Sequence, residues 1–120
     1  MRKYFSYAVL IFVWLLAIVL LPPGNVLADP PQDVLLSYNM TTQTLTVTIK
    51  HPSTFTGLHY IKQVEIKKNN EPAEKKSYSS QPGKTAFEYT YGVPAAVNDI
   101  LEVTASCNIQ GQKTAALKVQ

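Results

Sequence analysis

The segment TLTVTIK, residues 44–50, alternates without interruption: Leu45, Val47 and Ile49 point one way, Thr44, Thr46 and Thr48 the other. A period of two belongs to a half-buried strand and cannot form a helical stripe. The same period recurs along the chain, and helical periodicity is nearly absent. VLLSY sets Val34, Leu36 and Tyr38 on one face, and YIKQVEIKK does so with Tyr60, Val64 and Ile66. A weaker strand runs through Tyr78. AFEYTYG aligns Phe87, Tyr89 and Tyr91; ILEVTASC aligns Leu101, Val103, Ala105 and Cys107; TAALKV aligns Ala115, Leu117 and Val119. Between these runs, NNEP and QPG are turn signals, with Asn tolerating left-handed backbone, Pro82 presetting its own φ and Gly83 expected to take a positive one. About seven short strands at this spacing predict an all-β chain folded as an immunoglobulin-like antiparallel sandwich.

The first 28 residues have a different grammar. MRK is a positive start, Ala8 to Leu21 is an unbroken apolar run, and PPGNVLA follows with small residues Val26 and Ala28 at the −3 and −1 positions before Asp29. This is the pattern of a secretory signal peptide, 1–28, preceding a domain at 29–120. The apolar run is short against the roughly 20 residues of a spanning helix. The chain is therefore expected to be exported, periplasmic or secreted, with no stable membrane anchor after cleavage. An uncleaved anchor carrying the same exported domain is the alternative.

Charge says little about partners once the leader is set aside. Of 11 Lys and Arg, Arg2 and Lys3 lie in the leader, which leaves 9 against 8 acidic residues. No basic stripe marks a nucleic-acid surface. Lys67-Lys68 and Lys75-Lys76 are expected to blunt two strand edges. With one cysteine, the domain has no internal disulfide, so its apolar pattern alone must hold it together.

Most active-site templates fail. There is no G-x-S-x-G nucleophile elbow and no phosphate-cradling glycine loop. A structural zinc site takes four Cys or His ligands, and the chain offers one Cys and two His. Those three residues fall in suggestive places. His51 leaves the strand of Leu45, Val47 and Ile49; His59 precedes the strand of Tyr60; Cys107 ends the strand of Leu101, Val103 and Ala105. Pro52 biases His51 toward an extended exit. At one rim of a sandwich, two imidazoles and a thiolate would suit a borderline or soft transition metal. The plainer alternative is that Cys107 packs as a small hydrophobe and the histidines occupy turns.

HPSTFTGLHYI, followed by an alternating strand and later CNIQG, resembles the iron-binding domain of the superoxide reductases (neelaredoxin and the desulfoferrodoxin C-terminal domain). There, H-P-M-x-x-x-H-Y-I supplies two histidines, and C-N-x-H-G a cysteine and another histidine. The resemblance covers roughly Val34 to Val119. It implies a sandwich fold and a ferrous ion with four equatorial histidines and an axial thiolate. It also implies an open position where superoxide is reduced to peroxide, and a redox donor protein as partner. His51 and His59 match the first histidine pair and Cys107 the axial cysteine. Three departures stand out. Gln110 occupies the last histidine position, no G-E-K-H segment precedes the first strand, and the His51–His59 loop is two residues longer. The expected function is thus an exported iron-binding domain with a histidine-poor site at His51, His59 and Cys107, with or without superoxide reductase activity.

Two other classes stay open. The HP…HYI segment is also similar to an immunoglobulin-like subunit of the periplasmic thiosulfate-oxidising carrier complex, a non-enzymatic interaction module. Two histidines and one cysteine are also the blue-copper ligand set, although cupredoxins usually place a histidine shortly after the cysteine.

Overall fold

The structure is a computed structural model that describes residues 29–120; the expected signal helix and its cleavage motif lie outside the described residues. Seven strands form: β1 (Asp33–Asn39), β2 (Thr44–Lys50), β3 (Ile61–Lys68), β4 (Glu71–Ser77), β5 (Ala86–Gly92), β6 (Ile100–Cys107) and β7 (Gln112–Lys118). They pair antiparallel into a three-stranded sheet, β1-β2-β5, and a four-stranded sheet, β4-β3-β6-β7. The strand order is that of a constant-type immunoglobulin sandwich with the fourth strand moved to the opposite sheet.

The alternation read from the sequence is what closes the sandwich. Leu45, Val47 and Ile49 on β2 and Leu101, Val103 and Ala105 on β6 are fully buried, 0% exposed. Each of the valine, leucine and isoleucine side chains contributes about 1.5–3 kcal/mol by leaving water. Tyrosines join the two layers near one edge. Tyr78 stacks on Tyr89, with ring centroids 4.3 Å apart, and its hydroxyl meets that of Tyr91 at 2.8 Å.

Four local expectations need correction. On β3 the core position is Ile61, not Tyr60, because a bulge between Ile61 and Gln63 breaks the period of two; Ile61 and Val64 then share a face, 0% and 1% exposed. The NNEP turn is only Asn69-Asn70, whose φ values of 52° and 68° make a two-residue hairpin loop. Glu71 and Pro72 already belong to β4, an edge strand where a missing N–H is tolerated. Of the two lysine pairs, Lys75-Lys76 lies on that edge, whereas Lys67-Lys68 ends β3, an interior strand.

Gly83 is the fourth correction. Positive φ is taken by Gly111, at 77°, and not by Gly83. Gly83 is needed for space instead: a Cβ there would sit 2.5 Å from the Ala86 carbonyl oxygen. Gly83→Ala is expected to cost about 1–3 kcal/mol, as overpacking does, read as a lower urea midpoint.

Candidate metal centre

The inward stripes of β2 and β6 each run one step further than their last aliphatic residue. Continuing Leu45, Val47 and Ile49 by two places reaches His51, which is 0% exposed. Continuing Leu101, Val103 and Ala105 reaches Cys107, 5% exposed. His51 keeps the β geometry past the end of β2: its N–H bonds to Thr85 O at 3.0 Å, and Ser53 N–H bonds to Lys84 O at 2.7 Å. One residue from each sheet thus arrives at the same rim.

His59 comes from the loop between β2 and β3 and is half-buried. Leu58 and His59 N–H groups both bond back to Phe55 O at 2.9 Å, coiling the loop tightly. Ser53 donates its hydroxyl to His59 O. Asn108, the residue after Cys107, clamps the other side. Its side chain accepts from Tyr60 N–H at 2.9 Å and donates to Leu58 O at 3.0 Å, and its own N–H donates to Tyr60 O at 3.0 Å. The Cys-Asn pair therefore places a sulfur and fixes the histidine beside it.

The three sequence-predicted site residues are brought together. One donor atom from each of His51, His59 and Cys107 lies within 4.8 Å of the others. Bonds of about 2.0–2.3 Å to nitrogen and sulfur let opposite donors of one ion stand about 4.4 Å apart. At most one pair of three donors can be opposite and the others stand about 3–3.7 Å apart, so the set must draw together on binding an ion. The imidazole rings meet edge to face, centroids 4.4 Å apart at 70°. Ile109 N–H points at Cys107 Sγ at 3.4 Å, a donor suited to a thiolate's charge. Gln110, at the position of the missing histidine, is exposed.

Sequence reasoning missed Gln81, which had been assigned only to a turn. It is 4% exposed and every polar atom of its amide is used. Its Nε2 donates to His51 O and Gly83 O, both at 2.8 Å. Two carbonyls on that side fix which end of the amide is nitrogen. Its Oε1 accepts Ile61 N–H at 3.2 Å and meets His51 Nδ1 at 2.7 Å. His51 Nδ1 must therefore carry a proton, which leaves Nε2, 3.0 Å from Asp29 O, as the nitrogen a metal can take. Burial holds His51 below the ordinary imidazole pKa, opposed by the hydrogen bonds to Gln81 and Asp29 and assisted by His59. A histidine whose second nitrogen donates to a fixed acceptor is the arrangement metal-ligating histidines use. No sequence signal marks Gln81; only the requirement that His51 have such a partner points to it.

No protein-family model matches the chain, and no curated protein matches it. Among solved structures, it is similar to the superoxide reductase (neelaredoxin) from Ignicoccus hospitalis, with 12% identity, a TM-score of 0.45, and coverage of 75% of this chain and 82% of that one. A point variant of the same protein gives 11% identity and a TM-score of 0.46, covering 83% of this chain and all of that one. At such values the likeness bears on neither the chemistry nor the partners of this chain.

Proposed function

We propose that this protein is an exported, superoxide-reductase-like domain that binds a first-row transition ion, iron in the first instance, through His51, His59 and Cys107. The observation that carries this reading is the convergence of those donors, with the His51 lone pair aimed by Gln81. The donor set fits a transition ion, since imidazole and thiolate together suit iron, copper or zinc and disfavour magnesium or calcium. It fits the reductase ligand set only in part. Both histidines of the chain are already in the site, so a four-histidine square cannot be built within one chain. Little or no superoxide reduction follows.

Bound here, iron would supply a one-electron redox centre. The chain's own part is to hold the neutral His51 tautomer through Gln81, to fix His59 through Asn108, and to aim the Ile109 N–H at the sulfur. A redox donor protein has a surface to meet: Phe55 and Leu58 on the His59 loop are 67% and 72% exposed, and Ile109 beside Cys107 is 54% exposed. Apolar side chains gathered at a rim suit a protein contact.

Anaerobic loading with Fe(II) or Co(II) tests the site. The native chain should develop a thiolate-to-metal charge-transfer band, and Cys107→Ser should lose it while keeping the β-sheet circular dichroism. Metal affinity should fall by at least the roughly 10–100-fold that loss of even an outer partner costs. The same band in Cys107→Ser, or none in either protein, would leave the cysteine a packing residue.

A further inference from the structure

We propose that the main-chain carbonyl of Asp29 is the fourth protein donor of this centre, so that the strap of residues 29–31 closes the site over the ion. The proposal rests on the metal-binding function above. Asp29 O lies 3.0 Å from His51 Nε2 and 3.2 Å from His59 Nε2. Each contact can be a hydrogen bond only while that Nε2 carries a proton. An ion held by the two Nε2 atoms displaces those protons, because imidazole binds metal through an unprotonated nitrogen. The carbonyl oxygen then stands beside both ligand nitrogens, within reach of the same ion.

The spacing fits a shared ion. Two bonds of about 2.1 Å meeting near a right angle end on atoms about 3 Å apart. A carbonyl oxygen is also a chemically sound complement to two imidazoles and a thiolate: transition-ion sites of that type accept a backbone oxygen as a further ligand. It is neutral, so a divalent ion balanced by one thiolate keeps a net charge of one.

The strap is built to stay. Pro31 is buried, and Gln32 N–H bonds to Lys50 O at 2.8 Å just below the site. Pro30 lies against the turn after Cys107, at Gly111, where an added Cβ would come within 2.5 Å of Pro30 Cβ. Gly111 has a φ of 77°, so glycine there serves both the turn and the close approach. Two consecutive prolines also reduce the conformational freedom that closing the strap must overcome. The chain thus supplies from its own backbone a ligand that its histidine count cannot.

The test uses the full chain labelled with [1-13C]aspartate and [15N]proline. Asp29-Pro30 is the only Asp-Pro pair, so the carbonyl resonance coupled to 15N is Asp29 alone. One equivalent of Zn(II) should shift that resonance and leave those of Asp33 and Asp99 in place. Gly111→Asn provides the second arm. Asparagine tolerates a left-handed φ, but its side chain takes the space of Pro30 and displaces the strap. Zn(II) affinity should then fall about tenfold or more, and Asp29 should no longer respond. Zinc that binds and protects Cys107 from thiol reagents, with Asp29 unmoved in the native chain, would overturn the strap ligand and leave the three-residue site standing. Zinc that neither binds nor protects Cys107 would overturn both.

Discussion

Gln81→Leu is expected to destabilise the domain by about 3–5 kcal/mol, a loss out of proportion to a residue in a loop. The substitution leaves three buried groups, His51 Nδ1–H, Ile61 N–H and His51 O, and the half-buried Gly83 O without partners. Each unsatisfied buried group costs about 1–3 kcal/mol, partly recovered where the loop relaxes or water enters. Gln81→Glu separates shape from bonding. It keeps the volume and the Oε1 acceptor, but sets a second oxygen against two carbonyls, and should lie between leucine and the native residue. Metal affinity should drop about 10–100-fold in Gln81→Leu, because nothing then holds the His51 tautomer. Urea unfolding and a metal titration measure the two effects. Variants within about 0.5 kcal/mol of the native protein would show that other contacts hold His51, since that is the scatter of ordinary surface changes.

That so much rests on Gln81 marks the limit of what alternation reveals. Period two reports which side chains face inward, and it correctly orders β2, β5 and β6. It also carries the inward stripes on to His51 and Cys107, so two of the three site residues were legible as positions in a pattern. His59 was legible through its neighbourhood, HYI before a strand. Gln81 belongs to no stripe: its side chain reaches inward from a loop, and a sequence does not say where a loop turns. The bulge at Ile61–Gln63 was hidden for a related reason, since one extra residue shifts the phase without changing the composition. Asp29 O was beyond reach altogether, because a backbone carbonyl has no letter of its own.

The same geometry weighs the competing classes. A blue-copper protein draws its ligand histidine from just after the cysteine, and here that turn supplies Asn108, Ile109 and the exposed Gln110. Asn108 instead fastens the loop carrying His59, so the ligands of this site are joined across β2, β6 and the β2–β3 loop. A pure interaction module would need neither the oriented lone pair of His51 nor a sulfur facing it. Buried polar networks are costly unless every member is satisfied, and among the described residues no buried side-chain nitrogen or oxygen lacks a partner.

Ile61→Ala and Leu101→Ala should be equally destabilising and functionally distinct. Both side chains are 0% exposed, and truncating a buried Ile or Leu to Ala costs about 2–5 kcal/mol through lost burial and the cavity left behind. In a domain whose total stability is on the order of 5–15 kcal/mol, either loss is large. The two residues stand at opposite ends of the four-stranded sheet. Ile61 pairs with Cys107 across β3 and β6, and its N–H donates to Gln81 Oε1 at 3.2 Å. Leu101 pairs with Lys68 at the far end of the same ladder, six residue steps along the strand from Cys107, about 20 Å. A cavity at Ile61 lets the sulfur and the Gln81 amide relax, so Ile61→Ala should also weaken metal binding about tenfold. Leu101→Ala should leave metal affinity within error of the native protein, because sites that far apart with no shared partners behave independently. Calorimetric titration of folded variants at low temperature separates the two effects. Equal affinity losses in both would mean that metal binding tracks overall stability and not the packing around Cys107.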